Sequence, residues 1–263
     1  MRKDPVLKTR DEIENMRRAA RVLRSLLANV RVLMKPGVRL RQIESFCVRY
    51  LDMHDAEASS IGYNGFPSAC CTSLNDVLAH GVPDDSRLAD GDVLSLDVTC
   101  RLHGWMADTA WTYCIGECSD EDRQLVQAAW DALRAGVGAV HAGGRIGSIG
   151  NAILRSLSHT SYVALPEFSG HGIGRDLHEE PGIPVTGRDM RGAPIVPGMV
   201  LNLEPVVAAK GAKVMLGSDG VCYRNATGER GAQFELSIAV RSNRVEILQF
   251  PEYEGDMPSR PPF

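Results

Sequence analysis

Four carboxylates and one imidazole stand out because each acid interrupts an otherwise apolar strand pattern. Asp97 and Asp108 lie in DVLSLDVTCRLHGWMAD (92–108), Glu204 in VLNLEPVV (200–207), Glu235 in QFELSIAV (233–240) and His171 in GHGIGRDLHEEP (170–181). Side chains alternate along a strand, so Asp97 shares a face with Val93, Ser95 and Thr99, opposite Leu94, Leu96 and Val98. Glu204 sits in the same way with Val200 and Asn202, and Glu235 with Gln233 and Ser237. A hairpin turn at Leu102-His103 sets Asp97 directly opposite Asp108, with Cβ atoms about 5 Å apart. Two like charges so placed are unfavourable unless a cation cancels them, and paired carboxylates are natural bridging ligands. One imidazole beside four carboxylates suits a divalent ion such as Mn, Fe(II), Co or Zn. A solvated sheet face with incidental acids would account for one such residue, not for four. His171 and His178 are seven apart, but Gly170, Gly172 and Gly174 argue against a helix and for an irregular strand or loop. His178-Glu179 does not open an HExxH motif, because no histidine follows at that spacing.

The elements that must position these residues follow from periodicity. Thr9-Arg10-Asp11-Glu12 reads as a capping box, and Ile13, Met16, Ala20, Leu23, Leu27, Val30 and Met34 recur at spacings of three and four behind it. That is one apolar face of a long helix, closed by Lys35-Pro36-Gly37. Further helices are expected over Gln42 to His54, from Ser119-Asp120-Glu121 to about Gly136, and over Ile146 to Leu157. The period switches to two over 92–100, 105–115, 199–207 and 232–240, which are expected strands. Two blocks of helices followed by strands indicate an α+β fold. The strands also look duplicated: Gly91 to Asp97 and Gly198 to Glu204 both read G-x-V-L-x-L-acid, at an offset of 107 residues. Two related halves, each lending an acid to one central site, explain the aligned acids better than chance similarity between buried strands.

Composition bounds the function classes. A chain of 263 residues, 44% hydrophobic and 24% charged, can bury a sizeable core as one large domain or two fused halves. No run approaches the roughly 18 apolar residues of a membrane span, and MRKDPVLKTRDE lacks the apolar core of a secretory signal. Seven cysteines without paired CxxC modules argue against a disulfide framework or a structural zinc site, and place the chain in a reducing compartment, the cytoplasm. Residues 1–50 carry thirteen Lys/Arg against five Asp/Glu, although the whole chain is −4.

The motifs NDVLAHGVPDD (75–85), DVTCRLHGWMADTA (97–110), GHGIGRDLHEEP (170–181), LNLEPVV (201–207) and QFE (233–235) resemble, in order and spacing, those of the type I methionine aminopeptidases in their compact bacterial form. The resemblance runs from about Thr9 to Leu248. It implies the pita-bread fold, a curved antiparallel sheet covered by helices in two pseudo-symmetric halves of about 9–115 and 119–248. These halves form a single catalytic domain over 1–250, with a tail at 251–263. It further implies two divalent ions, bridged by Asp108 and Glu235, with Asp97 completing one and His171 with Glu204 the other. A water between the ions would be the nucleophile and Glu204 the general base. His178 would stabilise the oxygen of the tetrahedral intermediate, and His80 would contact the scissile amide. The implied reaction removes an initiator methionine that precedes a small residue, on a peptide or nascent-chain N-terminus. Neither a membrane nor DNA enters this picture, and the implied state is a monomer.

The resemblance departs at the implied methionine pocket. Tyr63 and Cys71 match it. Ser60 stands where a cysteine is usual and Phe66 where a tyrosine is, Leu177 and Val221 replace aromatic residues, and Leu236 follows Glu235 where His or Asn is usual. Two missing aromatic walls leave open the same dimetal chemistry with a changed N-terminal residue or a dedicated peptide substrate. A catalytically inactive binding module, or a metal-free creatinase-like enzyme, is disfavoured because all five ligands and both accessory histidines are present. Arg17, Arg21, Arg24 and Arg31 line up one position after the apolar stripe of the first helix. A transient ribosome contact is one reading of them, but arginines flanking a buried face cover it with their stems, and that reading is preferred. The proline-rich tail PEYEGDMPSRPPF is expected to be poorly ordered.

Overall fold

In the computed structural model, which describes residues 4–253 and 257–262, four helices enclose four antiparallel sheets. The first part of the chain gives α1 (Arg10–Val30), α2 (Leu40–Asp52), β1 (Glu57–Ala58), β2 (Cys71–Leu74), β3 (Val77–Ala79), β4 (Val93–Leu102) and β5 (Trp105–Cys114). Next come α3 (Asp120–Gly138), α4 (Ile146–Leu157), β6 (Tyr162–Ala164), β7 (Ser169–Gly172) and β8 (Glu179–Pro184). The remainder supplies β9 (Val200–Leu203), β10 (Val206–Ala209), β11 (Val214–Leu216), β12 (Tyr223–Asn225), β13 (Gly231–Gln233), β14 (Leu236–Val240) and β15 (Val245–Ile247).

The helices begin where side chains can satisfy the free backbone amides of a first turn. Thr9 Oγ1 accepts from the Glu12 amide while Glu12 Oε2 accepts from the Thr9 amide at 2.8 Å, the expected capping box. Ser119 and Asp122 make the same reciprocal pair at the head of α3. Six of the seven expected stripe residues of α1, from Ile13 to Val30, are buried against β4 and β5. Met34 lies beyond the α-helix, which ends at Val30 and continues only as a 3₁₀ turn over Arg31–Leu33. Helix α4 spans the expected residues.

Two sheets carry the site. One joins β1, β4 and β2, with β5 on β4; the other runs β15-β14-β9-β7-β8. Behind them Trp111, Trp130, Phe234 and Phe250 form a core of rings whose centroids lie 5.1–5.9 Å apart. These four are among the largest fully buried side chains of the protein.

Three expectations need correction. The β4–β5 turn is His103-Gly104, both with positive φ (50° and 79°), not Leu102-His103. Asp97 therefore pairs with Ala110 and Asp108 with Thr99. A shift of two residues keeps both acids on one face, so they are diagonal rather than opposed neighbours. Second, the spans 199–207 and 232–240 are each interrupted, at Glu204-Pro205 and at Phe234-Glu235. Proline has no amide to donate to a ladder, which explains the first break. Third, the tail is docked. Met257 is buried, and the carbonyls of Met257, Pro258 and Ser259 accept from Arg134 Nε, Trp130 Nε1 and Gln127 Nε2 on α3. Residues 127, 130 and 134 share one helical face, and this row of donors holds a segment that lies outside any helix or strand. Residues 254–256 and 263 of the tail lie outside the described residues.

All seven cysteines are free thiols. No helix among the described residues is long and apolar enough to cross a membrane. On α1, Arg17 pairs with Glu14 and Glu246, while Arg24 pairs with Glu252 at 2.6 Å and lies 4.6 Å over the Phe250 ring. Those two arginines tie α1 to the C-terminal segment, as the stem-covering reading expects; Arg21 and Arg31 are exposed.

Candidate metal centre

The breaks in the strands fall at the acids. Glu204 follows the last residue of β9 and is turned aside by Pro205; Glu235 lies between β13 and β14, with its amide bonded to the Ala110 carbonyl of β5 at 3.0 Å. Thr109 Oγ1 donates to the Glu235 carbonyl at 2.8 Å, and Thr112 Oγ1 to that of Gln233 at 2.6 Å. These bonds stitch the strand bearing Asp108 to the segment bearing Glu235. His171 enters from β7, whose partner across the ladder is Asn202 of β9. Gly170 and Gly172 must lack side chains there: a Cβ on either would strike the backbone of Asn202 or of Glu180.

The result is a closed cluster. His171 Nε2 lies 3.4 Å from Glu204 Oε1, 3.8 Å from Asp108 Oδ2 and 4.0 Å from Glu235 Oε1. Asp108, His171 and Glu235 are buried, and each offers one ligand atom within 4.8 Å of the others. Asp97 lies on the same face of the hairpin, between Cys71 of β2 and Ala110 of β5.

Electrostatics shows what such a cluster lacks. Burial pushes the Asp97 carboxyl up to about 6. Burial, then Glu235 and Asp97, hold Asp108 well above the usual carboxylate range. Glu204 is raised by burial and by Asp108 and Asp97, and Glu235 by burial, Glu204 and Asp97. Burial and His178 bring His171 down to about 4, so its imidazole is neutral at neutral pH. Its Nδ1 is hydrogen-bonded to the Gly172 carbonyl at 2.9 Å, which places the proton there and leaves the Nε2 lone pair facing the acids. Oδ1 of Asp97 and Oδ1 of Asp108 are buried without a hydrogen-bond partner. Repelling carboxylates, orphaned oxygens and an imidazole lone pair aimed among them are the donor set of a divalent cation.

The accessory residues divide into two groups. His178 is hydrogen-bonded through Nδ1 to Tyr63 Oη at 2.8 Å, and its ring centroid is 4.2 Å from that of His171. Cys71 is buried opposite Asp97, its thiol pushed up by burial and that carboxylate. His80 follows β3 in a left-handed conformation (φ 56°), a strained backbone that favours a directed role over a loop accident. Its neighbour Gly81 is pressed against the backbone of Thr72 and Ser73, so the strain is held in place from below. Leu177 is buried and Phe66 half-buried. Ser60 Oγ donates to the Ser68 carbonyl at 2.9 Å, so the hydroxyl closes its own loop. Val221 is half-buried in the turn before β12, with its amide on Asp219 Oδ1.

Other residues at the site were given no role in the sequence. Asn202 Nδ2 donates to Glu235 Oε1 at 2.7 Å and its Oδ1 accepts from Ser237 Oγ; Gln233 Nε2 lies 3.4 Å from Glu204 Oε2. All three share a strand face with the acids two residues away, and that spacing was the available signal. Tyr223 and Phe168 had none: the Tyr223 ring meets His80 edge-on at 5.7 Å and Phe168 at 5.6 Å.

Known proteins resemble this one along nearly its whole length. Residues 14–242 match the profile of metallopeptidase family M24. Methionine aminopeptidase A of Synechocystis is 36% identical over 247 residues, 94% of this chain and 98% of its own. Methionine aminopeptidase 1 of Bacillus subtilis is 34% identical over 243 residues, 92% and 98% of the two chains. The crystal structure of methionine aminopeptidase from Rickettsia prowazekii superposes with a TM-score of 0.92 at 32% identity, covering 94% of this chain and all of that one. Prolidase from Pyrococcus furiosus, 20% identical with a TM-score of 0.76, shares the fold.

Proposed function

Because the chain belongs to metallopeptidase family M24, among its methionine aminopeptidases, we propose that it removes N-terminal methionine from peptides and nascent chains whose second residue is small. The observation that carries this reading is the convergence of Asp108, Glu204 and Glu235 on the unprotonated nitrogen of His171, with Asp97 on the same hairpin face as Asp108. These five side chains would hold the divalent ions that the family uses. Bound there, the ions would polarise the scissile carbonyl and activate a water for attack.

The chain's own residues supply the rest. Glu204, with one oxygen near Gln233 and the other facing His171, is placed to take a proton at Oε1 and return it to the leaving amine. With Tyr63 Oη as donor to His178 Nδ1, the imidazole proton would stay on Nε2, and that N–H would stabilise the carbonyl oxygen as negative charge builds. His80 would contact the scissile amide. Tyr63, Phe66, Cys71, Leu177 and Val221 would line the pocket of the departing side chain. We place the protein in the cytoplasm as a monomer. A ribosome contact would draw on Arg21 and Arg31, which are exposed, since Arg17 and Arg24 are paired within the molecule.

The second reading keeps the chemistry and changes the N-terminal residue. Ser60, Leu177 and Val221 favour it, while Tyr223, two residues beyond Val221, brings an aromatic ring against His80. One assay separates the two: metal-free protein reloaded with Mn, Co, Fe(II) or Zn and offered X-Ala-Ser peptides. Metal-dependent release of methionine, lost in Asp97→Ala and His178→Ala, is the expected result. Release of a different residue would assign the chemistry correctly and the substrate wrongly. No hydrolysis with any metal would overturn the enzyme reading.

A further inference from the structure

A buried ion pair lies just outside the cluster. Lys8 Nζ meets Glu179 Oε2, with the two side chains only 2% and 7% exposed. Lys8 Nζ also donates to the Val6 carbonyl at 2.8 Å, and the Lys8 amide to the Gly198 carbonyl at 2.7 Å. The other carboxylate oxygen of Glu179, Oε1, accepts from the amides of Arg175 at 2.9 Å and Asp176 at 3.3 Å. One carboxylate thus closes the loop that ends in His178, and one ammonium fastens that carboxylate to the segment leading into α1. A Cβ at Gly174 would come within 2.5 Å of both Glu179 Oε1 and Lys8 Cε, so the loop folds tightly over the pair.

The opposite side of the loop is pinned to the hairpin that bears Asp97 and Asp108. The Met106 amide donates to the Gly174 carbonyl at 2.9 Å, and the Arg175 guanidinium lies 4.0 Å over the Trp105 ring. His178 sits between these anchors and is adjacent in sequence to Glu179, so a turn of the Glu179 backbone must turn the imidazole. Burial makes the pair a demanding device: with Lys8 gone, an uncompensated carboxylate would be left in a dry pocket and would rearrange toward solvent.

We propose that Lys8 and Glu179 form a positioning pair that fixes the 174–178 loop and so aims the His178 imidazole at the reacting centre. The inference rests on the role given to His178 above. Neither residue touches substrate or metal; they act through His178. Because the group they aim stabilises charge that appears only during reaction, loosening it lowers kcat more than it raises KM.

The test uses the full-length, zinc-loaded protein and four variants: Lys8→Met, Lys8→Arg, Glu179→Gln and the double Lys8→Met/Glu179→Gln. Two readouts are followed: the side-chain ¹⁵N and ¹H signals of His178, assigned through His178→Gln, and kcat with KM on the best peptide. Lys8→Met is expected to shift or broaden the His178 signals and to lower kcat by about 10- to 100-fold, the cost of misplacing a reacting group by about 1 Å. KM should stay within about threefold, and Lys8→Arg should retain both readouts. Glu179→Gln keeps an acceptor for the two loop amides but weakens the tether, so it should fall between them. The double variant leaves no unpaired charge and should fold even where Lys8→Met does not; it should remain as impaired as Lys8→Met. Full recovery in the double variant would mean that the pair only neutralises charge, and would overturn the proposal. So would wild-type signals and kcat in Lys8→Met. Should the parent protein release no methionine, the proposed function fails while the His178 signals still decide the positioning.

Discussion

The acids of the cluster make the metal-free protein sensitive to pH in a direction opposite to that of an ordinary salt-bridged protein. The perturbation is removal of metal by a chelator, followed by urea unfolding between pH 4 and 7. Asp97 is raised from 3.8 to about 6 in the folded state. Below about pH 4 it is protonated whether the chain is folded or not, so it imposes no penalty. Between about pH 4 and 6 the unfolded chain ionises first, and folding loses free energy as the pH rises. Above 6 the loss is complete, at about 3 kcal/mol for a shift of roughly two units. Asp108, Glu204 and Glu235 are shifted in the same direction, and the four acids together outweigh His171, which is lowered to about 4 and alone would add stability as the pH rises through the same range.

The chelated protein should therefore lose stability from pH 4.5 to pH 7, whereas the metal-loaded protein, whose cation cancels the repulsion, should not. Binding of metal at pH 5 to 6 should release protons, seen as a dependence of the calorimetric heat on the ionisation enthalpy of the buffer. Metal-free stability that rises through this range, or that follows the same curve as the loaded protein, would refute the reasoning. It would mean that the carboxylates are already neutralised by groups within the fold.

Three further outcomes are expected. Asn202→Leu removes the donor to Glu235 and leaves the Ser237 hydroxyl proton without its acceptor; metal affinity measured by competition with a chelator should fall about 10- to 100-fold, and an unchanged affinity would deny Asn202 any part in setting the ligand. Truncation after Tyr253 exposes the site of Met257 and leaves Trp130 Nε1 without its acceptor, so urea unfolding should show a loss of about 3 kcal/mol. Gly81→Ala places a methyl 2.9 Å from Ser73 Cα, tighter still against Thr72, and should cost about 1–3 kcal/mol; a neutral effect would show that His80 is not held by close packing.

Much of this was written in local pattern. The capping residues Thr9 and Ser119, the buried stripe of α1 and the bounds of α4 follow from spacing alone, and so does the face each acid takes. Hairpin register was harder, because it depends on which two residues adopt positive φ. His103-Gly104 does so at no steric cost to the glycine, and X-Gly at the centre of a two-residue turn was the signal that Leu102-His103 did not offer. The strand break at Pro205 was likewise legible from the missing amide. Docking of the tail was not. Its composition is that of a disordered end, and the donors that hold it are 123 to 132 residues away on α3. No local rule links them. Tyr223 is hidden for the same reason: only the pairing of β12 with β3 brings its ring to His80.

The site and the core are two sides of one arrangement. A cluster of four acids cannot be assembled by local preference, since every approach of one to another is repulsive in the absence of a cation. It must be imposed by apolar packing on the reverse faces of the same strands. Asp108 is three residues from Trp111, and Glu235 follows Phe234; both rings lie in the buried aromatic group with Trp130 and Phe250. The tail seals that group through Met257 and Trp130, and Arg24 covers Phe250 from α1. Elements with no part in the chemistry thus hold the carboxylates at distances they would not choose, and the strain of that placement is what a bound cation relieves. The same logic explains why the acids occupy strand interruptions at Glu204 and Glu235. A side chain freed from the ladder can turn toward a ligand without breaking the backbone bonds that fix its neighbours.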